Sequence, residues 1–227
     1  MIAALYVLPD GPYSNLPWID PWDEKRDARN YAGPHRVIAH PPCERWERYW
    51  SGGPSAKVRR TLGDDNGCFA AALESVRKWG GVLEHPEASH AFRRFGLRLP
   101  DKKGQWWPAN SRVGEWVCCV EQGHYGHPAR KATWLFTVDC DRPELIWGPA
   151  PKGIRLDQGF HSKEERDRAR RTGVCQRLSQ RQRKLTPTAF RDLLISIVEG
   201  STARGVARSA IKDFREGLVP TGNIGEG

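Results

Sequence analysis

The chain has 227 residues, 38% of them hydrophobic and 28% charged, with a net charge of +9 and a pI near 9.5. This suffices for one sizeable domain with its own core and excludes a disordered or collagen-like chain; no apolar stretch approaches transmembrane length. The cationic excess and the ten tryptophans favour a polyanionic partner, for which nucleic acid is the commonest candidate and an inert basic surface the plain alternative.

In chain order, "IAALYVL" predicts a first strand, closed by the turn "PDGPYS". "DEKRDARNYAG" predicts a short polar helix with Asp23 as N-cap and Gly33 past its end. "RVIAH" predicts a second strand, running into Pro41, Pro42 and Cys43. "GDDNGCFAAALESVRKWGG" has the clearest helical period: Phe69, Ala72, Leu73, Val76 and Trp79 recur at helical spacing before Gly80 and Gly81 stop the run. Asp64 and Asp65 precede it as capping candidates. "GVLEHP" predicts a third strand, "EWVCCVEQ" and "KATWLFTVD" two more, and "GHYGHPAR" the turn between them. Strands and helices alternating at these lengths predict an α/β sandwich with a mainly parallel sheet.

Beyond residue 148 the composition changes. Residues 149–184 are polar and rich in arginine, which reads as a solvated face or as a phosphate-contacting arm. "TPTAFRDLLISIVEG" predicts an amphipathic helix returning to the core over 185–200, with Thr186 as N-cap, Pro187 in the first turn and Phe190, Leu193, Leu194 and Ile197 on one face. Residues 201–227 read as a tail, and residues 1–148 as the core unit.

The six cysteines are Cys43, Cys68, Cys118, Cys119, Cys140 and Cys175; no two have the Cys-x-x-Cys spacing, and the adjacent pair suits neither a disulfide framework nor a zinc knuckle. The first residues lack a basic leader and a long apolar run. Together these predict a cytoplasmic chain with reduced thiols. His40, His85, His124 and His127 have no spacing that demands a metal, and none is expected.

In an open α/β sheet, ligands bind beyond the carboxyl ends of the strands. Three such places here carry reactive groups: Cys43 after "VIAHPP", Glu84 within "GVLEHP", and Arg130 with Lys131 in "HYGHPARK". Pro-Pro-Cys, then Glu in a short strand closed by Pro, then Tyr-Gly-x-Pro-x-Arg before a strand: this order resembles the DNA (cytosine-5) methyltransferases, in particular their compact phage and prophage type.

The resemblance implies a Rossmann-like methyltransferase sandwich, truncated at the first motif, with a small basic C-terminal region. It implies that Cys43 attacks carbon 6 of a flipped cytosine, that Glu84 holds ring nitrogen 3 and steers the exocyclic amine, and that Arg130 orients the base and the catalytic loop. It also implies S-adenosylmethionine as methyl donor, DNA as partner and a bacterial or phage-infected host cell as setting; a monomer is expected. Tyr125 and Lys131 of the arginine motif, with Arg45 and Trp46 beyond Cys43, are the expected substrate contacts; Arg48 and Trp50 stand beside them as possible grip and wedge.

The chemistry is coherent. Carbon 5 of cytosine is a poor nucleophile until a thiolate adds at carbon 6 and makes the ring enamine-like. Nearby cations would lower the thiol pKa of about 8.5. A carboxylic acid at ring nitrogen 3 stabilises the charge pushed into the ring, and carbon 6 is reached only if the base leaves the stack.

Where the family carries a Phe-x-Gly-x-Gly loop, this chain has "LYVLPDGPYSNLPWIDPWDEKRDARNY", with Gly11 the glycine that remains. Asp20 is the candidate for the ribose hydroxyls, Trp22 for the adenine face, and Pro41 lines the same side. Ala129 stands where a glutamine is common, and the region before the last helix is well short of a usual target-recognition domain, so base readout should be short or loose. The alternatives are a catalytically inactive DNA-binding relative and a pyrimidine-modifying enzyme with another donor.

Overall fold

The computed structural model describes residues 1–52, 57–58, 60–154, 162–172 and 178–200. The strands are β1 (Ile2–Leu5), β2 (Ile19–Trp22), β3 (Arg36–Ala39), β4 (Gly81–Pro86), β5 (Trp107–Pro108), β6 (Glu115–Glu121) and β7 (Ala132–Val138). The α-helices are α1 (Cys68–Trp79), α2 (His90–Arg94), α3 (Lys163–Thr172), α4 (Gln180–Lys184) and α5 (Thr188–Glu199).

All seven strands form one sheet in the order β2-β1-β3-β4-β7-β6-β5. The pairs β1–β2, β1–β3 and β3–β4 are parallel; β4–β7, β6–β7 and β5–β6 are antiparallel. The expected mainly parallel sheet is therefore a mixed one, parallel through its first four strands. The reversal arises where β6 and β7, joined by a short connection through a 3-10 turn at Gln122–Tyr125, pair as a hairpin and β7 inserts beside β4.

The sheet is apolar on both faces, so its strands read as continuous hydrophobic runs rather than alternating ones. Ala3, Leu5, Val37, Leu83, Val117 and Phe136 face α1, whose Phe69, Ala72, Leu73 and Val76 are buried as their spacing predicts. Ile2, Ala4, Ile38, Val82, Cys118 and Leu135 face the opposite way, toward Phe190, Leu194 and Ile197 of α5. The neighbouring thiols Cys118 and Cys119 are split between these two faces.

At one point β3 and β4 approach very closely. Gly81 has φ 134, and a Cβ there would stand 2.0 Å from the Val37 carbonyl oxygen. Only glycine fits that approach. It sets the pairing of the two strands whose far ends carry the candidate site.

Two local expectations are corrected, and the capping expected ahead of α1 is found at Asp65. The polar helix expected from Asp23 to Gly33 is two turns: Asp23 accepts from the Lys25 and Arg26 amides, and Asp27 takes a left-handed φ of 49 before a 3-10 turn at Ala28–Asn30. The last helix begins at Thr188, with Pro187 rather than Thr186 as its N-cap, because Pro187 is still extended and its carbonyl starts the ladder to Arg191. Residues ahead of α1 are capped by Asp65, whose carboxylate accepts from the Gly67 and Phe69 amides. The expected tail at 201–227, Cys175 and parts of the 149–184 region lie outside the described residues. Among the described residues, no helix is long and apolar enough to cross a membrane.

Candidate active site at the carboxyl rim of β3 and β4

Ala39 of β3 pairs with Leu83 of β4, so His40, just past β3, and Glu84, within β4, stand side by side where the parallel pairing of the two strands stops. The His40 amide still donates to the Leu5 carbonyl, tying the rim to β1. Pro41 and Pro42 then forbid further strand pairing. Cys43 follows, and its carbonyl accepts from the Trp46 and Glu47 amides at 2.8 and 2.9 Å, turning the chain back over the rim.

Glu84 is the centre of a polar cluster. Its Oε2 accepts from His40 Nδ1 at 3.0 Å and its Oε1 from Gln122 Nε2 at 3.1 Å. Gln122 Nε2 also donates to Thr133 Oγ1 at 3.0 Å, whose own hydroxyl is spent on the Lys131 carbonyl. The Glu84 and His40 side chains are only 11% and 12% exposed. Burial acts to raise the Glu84 carboxyl, but the hydrogen bond from His40 and the Lys131 charge outweigh it and hold the pKa at about 2. The carboxylate is thus ionised in the free site.

Cys43 is half-buried and free. Burial, then the charges of Glu47 and Glu84, push its thiol up to about 12, while Lys131 acts to lower it. Lys131 therefore bears on both Cys43 and Glu84, and joins them into one electrostatic unit. Its Nζ also reaches the Leu185 carbonyl at 3.5 Å. His85 lies beneath, fully buried, edge-on to Phe69 at 5.0 Å. Burial drives its pKa down to about 4 against Glu84 and the Pro42 backbone, so its imidazole is neutral.

Not every expected residue joins this cluster. Arg130 Nε donates to the Ala150 carbonyl at 2.5 Å and pins the loop that follows β7, leaving Lys131 as the cation facing Cys43. Tyr125 is 5% exposed, packs on Phe190 and takes a hydrogen bond from the Ile146 amide; it is a core residue under α5. Trp46 is also 5% exposed: it donates from Nε1 to Asp65 at 2.8 Å and stacks against Phe69 and Phe95, so its face is not offered to a ligand. The exposed aromatic ring beyond Cys43 is Tyr49, 61% exposed, with the Arg48 guanidinium 5.8 Å from its centre. Arg45 and Trp50 are half-buried on the same loop.

The expected cosubstrate residues lie along the neighbouring strand ends. Asp20 and Trp22 stand together on β2, beside β1. Asp20 accepts from Trp22 Nε1 at 2.8 Å and from Arg26 Nη1 at 2.5 Å, and the Arg26 guanidinium lies 4.0 Å over the Trp22 ring. Burial acts to raise the Asp20 carboxyl; the hydrogen bonds from Arg26 and Trp22 prevail and hold it low. In chemical type the pair suits a ribose and an adenine, and Arg26, whose side chain is 45% exposed, now covers both. Gly11 sits in the loop after β1, its amide on the Leu8 carbonyl and its own carbonyl accepting from Ser14; Pro41 is buried at the rim.

Sequence reasoning missed Tyr13, Gln122 and Thr133. Tyr13, 2% exposed, meets His40 Nε2 through its hydroxyl at 3.0 Å. Gln122 carried a weak signal, a polar residue directly after an unbroken apolar strand. Among the described residues no group of three or more His, Cys, Asp or Glu is placed to hold a metal ion; His124 turns to the Gly148 carbonyl and His127 to Ala129. No family model matches the chain, and no curated protein or solved structure matches it significantly.

Proposed function

We propose that the chain is a DNA (cytosine-5) methyltransferase-like enzyme in which Cys43 adds to carbon 6 of an extrahelical cytosine. The observation that carries this reading is the pairing of a half-buried thiol with a buried, ionised carboxylate on adjacent parallel strand ends, both acted on by Lys131. A structural thiol needs no such neighbour. Glu84, with both oxygens already fixed, presents acceptor lone pairs to the exocyclic amine and a negative charge to a protonated ring nitrogen 3. Lys131 favours the sulfur as its proton leaves, by way of the Glu84 carboxylate, for ring nitrogen 3 and the sulfur bonds to carbon 6, the carbon 5–carbon 6 double bond becoming the enamine.

S-adenosylmethionine, when bound, supplies the methyl group; Asp20 and Trp22 would hold its ribose and adenine once Arg26 moves aside. Tyr49, exposed beyond Cys43, would fill the gap a flipped base leaves, and Arg48 beside it would grip the backbone. The exposed arginines of α3, with Arg181 and Arg183 on α4, supply cations for phosphates.

Denaturing electrophoresis of the protein with duplex DNA containing 5-fluorocytosine and S-adenosylmethionine tests the reading. Wild type is expected to give a covalent adduct and Cys43→Ser none. Absence of an adduct from wild type on every DNA tried ends the proposal. The cover of Arg26 over Asp20 and Trp22 favours a second reading, the same pyrimidine chemistry with a different donor. Calorimetry distinguishes the two, since that reading expects no heat on titrating S-adenosylmethionine.

A further inference from the structure

His40, at the end of β3, lies one strand from the loop after β1 and one hydrogen bond from Glu84, in a continuous chain: Tyr13 hydroxyl, His40 Nε2, His40 Nδ1, Glu84 Oε2. An ionised carboxylate only accepts, so Nδ1 donates; with a single proton on the ring, Nε2 accepts and the Tyr13 hydroxyl is its donor. Tyr13 is suited to that part, because burial and then the Glu84 charge push its hydroxyl well above the usual range and keep its proton on. The two rings lie 5.5 Å apart at 50°, packed as well as bonded.

We propose that His40 is the positioning residue for the Glu84 carboxylate, clamped from behind by Tyr13 and opposed by Gln122, so that one carboxylate edge is presented to the rim. What that edge does there rests on the methyltransferase reading; that His40 sets it does not. His40 is bonded to Tyr13 from the loop after β1 and to Glu84 of β4, while Gln122 after β6, Lys131 ahead of β7 and His85 of β4 act on Glu84 beside it. Arg191 and Asp192 of α5 act on Tyr13 from the far side, and Arg191 also holds the Pro12 carbonyl at 2.6 Å. The loop at the start of the chain is thereby tied to the base-holding carboxylate. A pocket carboxylate held this way stays ionised when its neighbourhood is dehydrated, which an unassisted one does not.

Two measurements test the assignment. The first follows the Glu84 side-chain carbon by NMR through a pH titration. His40→Leu keeps bulk and removes the donor, and should move the Glu84 titration up toward the ordinary glutamate range of about 4.3. His40→Gln, which keeps an N–H in reach, should leave it low. Tyr13→Phe should move it less than His40→Leu. The second measures the rate of adduct formation on 5-fluorocytosine DNA. It should fall roughly tenfold to a hundredfold in His40→Leu, the range a hydrogen bond to a charged group contributes. His40→Gln should recover most of that loss, with DNA affinity unchanged. An unmoved Glu84 titration in His40→Leu overturns the proposal, as does a His40→Gln titration as high as that of His40→Leu. If His40→Leu fails to fold, a raised Glu84 titration in His40→Gln overturns it. If wild type forms no adduct, the methyltransferase reading falls, and the titration still decides the role of His40.

Discussion

Cys43 shows how much a single residue's setting departs from its type. A thiol at about 12 is protonated at neutral pH, so the free protein should resist alkylation there. Burial causes most of this, and Glu47 is the foremost of the charges. Glu47→Gln should lower the thiol pKa and speed iodoacetamide labelling of Cys43 severalfold at pH 8, read by mass spectrometry, whereas Lys131→Met should slow it. His85 makes a separate prediction about acid. Its folded pKa of about 4 lies below the unfolded value of about 6.5, so the unfolded chain takes up a proton first. Stability is full above pH 6.5 and is lost as pH falls toward 4. Glu84, at about 2 against about 4.3 unfolded, removes a further increment below that window. Urea midpoints measured against pH should show the first decline in wild type and lack it in His85→Phe, whose ring keeps the contact with Phe69.

At the scale of elements, the helix α1 and the loop beyond Cys43 share one anchor. The Asp65 carboxylate caps α1 through Phe69 and Gly67 and also takes the Trp46 indole proton. Asp65→Ala removes a cap, about 1 kcal/mol, and leaves a buried donor unpaired, about 1–3 kcal/mol more. The expected loss of about 2–4 kcal/mol is measurable by denaturant unfolding, with Asp65→Asn recovering part of it. Elements such as α1, β3, β4, β6 and β7 were legible in the sequence because each carries its own period or an unbroken apolar run. Others were not. β2 is short and contains Pro21, which is tolerated because β2 is an edge strand. α2 has five residues, fewer than two helical turns can signal. The site was legible to the same extent: Cys43 and Glu84 announce themselves at strand ends. So does Lys131 ahead of β7, whereas Tyr13, Gln122 and Thr133 reach the cluster from other elements, and only tertiary placement unites them. Trp46 misled for a physical reason, since a tryptophan near a reactive loop has the same letter whether it stacks on a ligand or fills the core.

For the molecule as a whole, part of the cationic excess lies on α3. α3 has no buried residue, and Arg168, Arg170 and Arg171 are exposed on it. If these three side chains each meet a phosphate, changing all three to glutamine should reduce the slope of log affinity against log salt by about 2–3. Fluorescence anisotropy with duplex DNA at several salt concentrations reads this directly, and an unchanged slope removes α3 from the contact. Uniform weakening across DNA sequences is expected, since phosphates carry no sequence information.

Among the described residues the last strand ends at Val138, yet the helix that covers the second face of the sheet does not begin until Thr188. A ribosome therefore releases all seven described strands with one greasy side bare of α5, and some fifty more residues must emerge before that cover arrives. During that interval the nascent polypeptide is a target for chaperones. Any message cut short ahead of Thr188 would yield a sticky product, whatever state its thiol and carboxylate are in.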